Sequence, residues 1–330
     1  MIRQSIRFAG ALALVALFLP VLQAAAQQDV PAAPTAQTPS EPAPAIAAPV
    51  FPNPDPANFT AATPTKDTVN AFLQTSWGYD DTRVWEIWAI QKTEVDGISK
   101  VVILVGDKTG KQKIIPAQFF VLPDNKHIFA GEDIMPFGAN PFADARAIVQ
   151  QRAEGPYRGS ASKDLEIVEF ADFQCPHCKE AQANMDKLAV DFPKARFVFQ
   201  NFPLPQHAAA AIAAAYGYCV TKQSGSNAFF TFASAVFDGQ EGLTSADGTT
   251  LTLNSAVTKA GMDPVAIAAC AKTPATHAAV EAMVKLAQDL KINQTPTLVI
   301  NGRQVPATVP YDTIKQIILY QAKMDGVVAQ

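Results

Sequence analysis

The spacing of apolar positions changes period several times along this chain, and each change marks an element. At Leu165-Glu-Ile-Val-Glu-Phe the apolar run is short and rich in strand formers, and it predicts a buried strand over 165–170. The period then lengthens. Ala181, Met185, Leu188 and Ala189 recur at helical spacing and predict an amphipathic helix with those side chains inward. Residues 195–199 predict a second strand, joined to the first in parallel through that helix, the natural βαβ connection. Residues 297–300 predict a third strand, Asn301-Gly302 a hairpin turn, and 311–323 a closing helix with Ile314, Ile317, Ile318 and Ala322 inward. Between these pieces, 207–290 is alanine-rich and helical, with breaks near Ser224-Gly225, Gly239 to Gly248 and Gly261.

Upstream the pattern differs. Asp67-Thr68 can cap a short helix whose Val69, Phe72 and Leu73 share one face. Residues 84–92, 101–105 and 113–122 are strand-like runs separated by Gly97, Gly106 and Gly110, so that 65–140 is expected to form a small α+β domain. Residues 141–152 have helical spacing and predict a connecting helix, within a linker at 141–155 that Gly155-Pro156 ends.

Chemistry concentrates where the 165–170 strand turns into its helix, at Cys175-Pro176-His177-Cys178. Free backbone N–H groups and the positive end of the helix dipole stabilise a thiolate, the form of cysteine that attacks disulfides. Two intervening residues let the second thiol reach the first. Pro176 sits in the first helical turn, where its missing N–H costs little, and the His177 imidazole is a further potential stabiliser of the thiolate. A zinc site would want two more ligands at paired spacing, and neither the other two cysteines nor the four histidines supply them. A structural disulfide fits the strand–motif–helix context less well than a redox pair does.

The stretches EFADFQCPHC, FPLPQH with the alanine-rich helix after it, and NQTPT followed by LVING together resemble the DsbA-like thiol–disulfide oxidoreductases of the thioredoxin superfamily, over about 156–324. The resemblance implies a thioredoxin fold with an inserted helical subdomain at about 207–290, and an enzyme that needs no bound cofactor or metal. It implies that Cys175 attacks and Cys178, one turn in, resolves the mixed disulfide. Thr295-Pro296 is implied to be a cis bond, with Pro296 against the active-site disulfide and Thr295 offering its backbone to the substrate chain, and Glu169 an acid beneath Cys178 that takes its proton. It also implies that Cys219 and Cys270 pair as a structural disulfide; from the residues alone, two inert buried thiols fit as well. His207 is expected to cap or start the inserted helix, and Asp172, in a turn, to be solvated. More faintly, 119–138 with the layout before it is similar to the cystatin-like dimerisation domains of periplasmic disulfide isomerases, which implies a possible homodimer through 65–140.

Composition narrows the setting. The chain has 330 residues, 48% of them hydrophobic, enough for a large core and more than one domain. Its net charge of −4 and lack of a basic run give no footing for nucleic acid. Residues 1–26 have a basic start, an apolar stretch and Ala24-Ala25-Ala26, the pattern of a cleavable secretory signal peptide, which places the protein in the periplasm or outside the cell. Residues 27–64 are dense in Pro, Ala and Thr and are expected to be a disordered linker. The expected partners are unfolded or partly folded exported proteins, with a membrane quinone-linked thiol oxidase if the protein oxidises, or a reducing membrane partner if it isomerises. A copper- or zinc-binding protein using Cys175, His177 and Cys178, or a chaperone, are readings from other classes.

Overall fold

The computed structural model describes residues 49–110 and 113–330; the expected signal peptide at 1–26 and residues 27–48 of the expected linker lie outside the described residues. Contacts divide the chain into two units, one of residues up to Pro64 with Val84–Met135, the other of Thr65–Arg83 with Pro136–Gln330.

The first unit holds a five-stranded sheet in simple sequence order: β1 (Arg83–Lys92, all but its first residue), β2 (Ser99–Asp107), β3 (Ile115–Val121), β4 (His127–Ala130) and β5 (Asp133–Pro136, up to Met135). β2 and β3 pair antiparallel, as do β3 and β4. Alternation buries Ile87, Ala89, Val101, Ile103, Phe119, Val121 and Ile128. The end of the expected linker is ordered. Asp55 caps a short 3-10 turn at Pro56–Asn58, Phe59 bridges to Ile90, and the Ser99 hydroxyl donates to the Thr63 carbonyl at 2.5 Å. Backbone bonding to β1, which composition does not register, holds residues that sequence alone assigns to a spacer.

The helix expected within 65–140 belongs to the second unit. It is α1 (Lys66–Trp77), capped by Thr65, whose hydroxyl accepts from the Thr68 N–H at 3.1 Å. Its last carbonyls are taken by the buried Arg303 guanidinium, which donates to Thr75 and, at 2.9 Å, to Ser76. The Phe72 ring packs on Phe137 at 5.0 Å, and the Tyr320 hydroxyl donates to the Gln74 carbonyl at 2.6 Å. These partners lie beyond residue 135, and the span 65–140 takes in parts of both units.

In the second unit a five-stranded sheet runs in the order β10-β9-β7-β8-β6, with β6 (Tyr157–Gly159), β7 (Glu166–Ala171), β8 (Arg196–Asn201), β9 (Thr297–Ile300) and β10 (Arg303–Pro306). β7 and β8 are parallel through α3 (Pro176–Asp191), and β9 is antiparallel to β7. β7 is buried on both faces. Ile167 packs with Met185 and Leu188 of α3 and with Ile314 and Ile318 of α8 (Tyr311–Met324). Val168 and Phe170 face α2 (Ala143–Arg152) and the helix α7 (Pro274–Asp289). The hairpin from β9 to β10 turns at Asn301 and Gly302, both at positive φ. A side chain at Gly302 would run into the backbone of Phe142 and Arg146, so glycine is required twice over there.

The insertion comprises α4 (Ala210–Asp238), α5 (Ala246–Lys259), α6 (Pro264–Ala271) and α7. α4 is interrupted at Gly225, where φ is 75°. Cys219 and Cys270 form a disulfide, with Cα atoms 6.1 Å apart, that ties α4 to α6. Among the described residues no helix is long and apolar enough to cross a membrane.

Candidate active site

The last residues of β7 and the turn after it deliver Cys175 to the N-cap position of α3, with Pro176 as the first helical residue. Cys175 and Cys178 are both free thiols. Cys175 is 5% exposed and Cys178 fully buried, so access from outside is to the first sulfur alone. The Cys178 side chain and then Thr295, together with the Cys178 and His177 backbone N–H groups, hold the Cys175 thiol well below the usual range, down to about 5, against the opposing effect of burial. Burial pushes the Cys178 thiol far up, and Cys175 and Glu169 reinforce that direction. The two sulfurs are thus differentiated by one turn of helix: one poised as thiolate, the other kept protonated.

The Thr295-Pro296 bond is cis, and the Cys175 thiol lies 3.6 Å from the Thr295 carbonyl oxygen. The loop before β9 is therefore brought against the reactive sulfur across a sequence separation that spacing cannot bridge. Glu169 is buried on β7. Desolvation raises its carboxyl to about 7 despite the Arg158 charge and a hydrogen bond from the Gln182 amide at 3.0 Å. The same Gln182 amide donates to the Cys178 carbonyl at 3.1 Å, which links the acid to the helix that carries the motif.

His177 contributes its backbone N–H to the sulfur, while its imidazole is engaged by Glu180. Its side chain is 62% exposed and its Nδ1 meets Glu180 Oε2 at 3.0 Å. That partner raises the imidazole first, with the Cys175 charge the smallest contribution. Asp172, expected to be solvated, is buried. Its carboxylate accepts from the Gln174 N–H at 2.7 Å and the Leu204 N–H at 2.8 Å, and meets His207 Nδ1 at 2.8 Å. His207 does lie at the start of α4, where its carbonyl accepts from the Ala210 N–H, but its ring reaches back to the active-site turn. The turn buries Asp172 because the insertion closes over it, a tertiary fact that a local pattern does not carry.

Gln240 and Gln174 were not legible either. The Gln240 amide donates to the carbonyls of Phe173 at 2.8 Å and Cys175 at 2.9 Å. Gln174 returns the link, donating to Leu243 O at 3.2 Å and accepting from Ala209 N–H at 2.7 Å. The insertion thus clamps the chain at the first cysteine and just before it. The one available signal was the placement of single polar residues within an otherwise apolar stretch, Asp172 and Gln174 around Phe173. Among the described residues no group of three or more His, Cys, Asp or Glu side chains is placed to hold a metal ion.

The thioredoxin family profile matches residues 151–319, just over half of the 330. This chain belongs to the thioredoxin family. The helical insertion, α4 to α7, lies within the matched residues. Solved structures similar to this thioredoxin-family chain include BdbD from Bacillus subtilis in its oxidised form, 24% identical, covering 51% of this chain and 93% of that one at a TM-score of 0.47. A thioredoxin-like oxidoreductase from Silicibacter pomeroyi is 22% identical over 54% of this chain and 98% of its own, TM-score 0.47. A periplasmic thioredoxin-like protein from Salmonella enterica is 19% identical over 55% and 96%, TM-score 0.45. Among curated proteins, a Na(+)/H(+) antiporter, NhaA 3 of Salinispora tropica, is 38% identical over 47 residues, 14% of this chain and 7% of the antiporter. NhaA 1 of Salinispora arenicola is 36% identical over 58 residues, 17% of this chain and 9% of the antiporter. The chain therefore spans less than a tenth of either curated relative.

Proposed function

We propose that this protein is exported and forms disulfide bonds in other exported proteins by exchange through Cys175. The observation that carries this reading is the contrast between the two sulfurs, a Cys175 thiol lowered to about 5 at a helix N-terminus and a wholly buried Cys178. Whatever stabilises the Cys175 thiolate stabilises the reduced protein, and so makes the disulfide form a stronger oxidant.

In the oxidising direction a substrate thiolate attacks Cys175 Sγ of the Cys175–Cys178 disulfide. The substrate–Cys175 bond forms, the bond between the two cysteines breaks, and the electron pair leaves on Cys178. A second substrate thiolate attacks the substrate sulfur and releases Cys175 as its stable thiolate. Glu169, near neutrality in its proton affinity, serves as acid and base for Cys178. The Thr295 backbone, at the cis bond beside the sulfur, receives the extended substrate chain. A membrane quinone-linked oxidase would restore the disulfide. Export is supported by the sequence pattern of residues 1–26.

The test uses purified protein on a reduced and on a scrambled multi-disulfide substrate, with Cys175→Ala in parallel. Oxidation of the reduced substrate, abolished in the variant, is expected. Unscrambling without net oxidation would replace the oxidase with an isomerase working with a reducing partner, and the sheet around 84–135 would then become the first candidate for dimerisation. Activity that survives Cys175→Ala would overturn the exchange reading in favour of a chaperone, and metal binding lost in that variant without any exchange would make the motif a metal site.

A further inference from the structure

Asp172 is bonded to both active-site cysteines through its main chain. Its carbonyl accepts from the Cys175 N–H at 3.1 Å, and its own N–H donates to Cys178 Sγ at 3.4 Å. The side chain of the same residue is completely buried, and its carboxylate has the three partners already named, two main-chain N–H groups and His207. His207 is the outer member. Its side chain is 22% exposed, and it lines a cavity of about 550 Å³ with Leu204, Ala211, Val280 and Val284. A continuous series of hydrogen bonds therefore runs from a partly open imidazole to a buried carboxylate, then through one residue's backbone to the resolving sulfur.

We propose that the Asp172–His207 couple is a positioning device for Cys178, holding the Asp172 N–H on its sulfur when that sulfur carries negative charge. This rests on the exchange reading above. In exchange the electron pair of the broken disulfide departs on Cys178, and in the reverse step the Cys178 thiolate attacks Cys175 Sγ of a mixed disulfide and expels the substrate thiolate. Both steps pass through an anionic Cys178 in a dry site, where a fixed N–H donor acts strongly because solvent does not compete. The donor stays in place only if the turn does, and the turn is pinned by the Asp172 carboxylate. Without His207 that carboxylate loses one of its three donors, and its hold on the turn weakens. The consequence falls on the Cys178 step. The direction of the Asp172 N–H effect on Cys178 agrees, since it favours the thiolate against burial.

The two steps separate with an aromatic disulfide, dithiobis(nitrobenzoate), mixed with the fully reduced chain. Attack by Cys175 releases one nitrothiobenzoate and leaves the other in a mixed disulfide. Attack by Cys178 on Cys175 Sγ then releases the second and closes the Cys175–Cys178 disulfide, so two electrons pass from the dithiol to the reagent. In stopped flow, His207→Ala is expected to slow the second release about tenfold, about 1.4 kcal/mol of barrier, with the loss falling mainly on that phase. His207→Asn, whose amide N–H takes the place of the Nδ1 donor, is expected to keep the second rate within about threefold of the starting protein. Asp172→Asn is expected to slow the second release like His207→Ala.

An undiminished second release in His207→Ala overturns the proposal, as do equal losses in His207→Ala and His207→Asn. Slowing of both phases in step with a lowered unfolding midpoint also overturns it, because that is what a merely structural role gives. If His207→Ala does not fold, the comparison of His207→Asn with Asp172→Asn decides: the proposal requires the first to be near normal and the second slow. Absence of a second release in the starting protein would instead strike the exchange reading itself.

Discussion

A carboxyl group on a strand buried on both faces has to give up hydration to ionise, and Glu169, only 3% exposed, is in that position. Its folded value of about 7 lies above the ordinary 4.5, so the sign of its effect on stability follows directly. As pH rises from about 4.5 to about 7 the unfolded chain releases this proton and the folded chain retains it, and stability falls across that window. Glu169→Gln removes the titration. The variant is expected to match the parent near pH 4.5 and to exceed it by up to about 3 kcal/mol at pH 8, with both proteins oxidised. Urea unfolding at the two pH values checks this, and parallel pH profiles would show that Glu169 ionises freely in the fold. Cys175 illustrates the opposite balance at the same scale, since several hydrogen bonds to its sulfur outweigh its burial.

Elements set where these residues meet. The motif helix α3 begins at the motif because Cys175 leaves helical backbone (φ −75°, ψ 121°) and Pro176 suits the first turn, both readable in sequence. The attachment of the motif to the insertion was not readable. Phe173, between Asp172 and Gln174, stacks on Phe199 of β8 at 5.4 Å and meets Phe229, Phe232 and Phe237 of α4 at 6.1, 5.7 and 5.3 Å. Gly217 gives that cluster room, since a side chain there would press on Phe229 and Phe173. Phe173→Ala is expected to cost about 3–5 kcal/mol in chemical unfolding, chiefly through the cavity it leaves. It should also reduce the preference for thiolate at Cys175, read as an upward move of the pH midpoint for alkylation. A large loss of stability with an unmoved midpoint would mean that the Gln240 clamp alone fixes the turn.

For the chain as a whole, the division into units does not follow sequence order. α1 lies between two segments of the first unit in sequence, yet the Arg303 guanidinium, over the Phe142 ring at 4.3 Å, takes its final carbonyls and also donates to Gln321 at 3.0 Å. Arg303→Met is expected to cost at least about 2 kcal/mol, because buried carbonyls lose charged donors. Hydrogen exchange should quicken first in 66–77 and later in β7, whereas uniform acceleration would mean that α1 is held chiefly by its apolar face. Unlike the three-residue β6, the strands at 165–170, 195–199 and 297–300 with the helices between and after them, the reactive pair with Pro176 at a helix start, and the turn at Asn301-Gly302 followed from sequence alone. They depend on local period, on φ preferences and on the fixed reach of two intervening residues, which neighbours in the chain determine among themselves. The burial of Asp172 and its bond to His207, the exposure of His177 and the allegiance of α1 were decided only by the tertiary structure, and the placement of Thr295 beside Cys175 was legible through the family resemblance alone. Each depends on which distant segment packs against a given side chain, and that choice is settled by the desolvation and hydrogen bonding of the assembled core rather than by any local pattern.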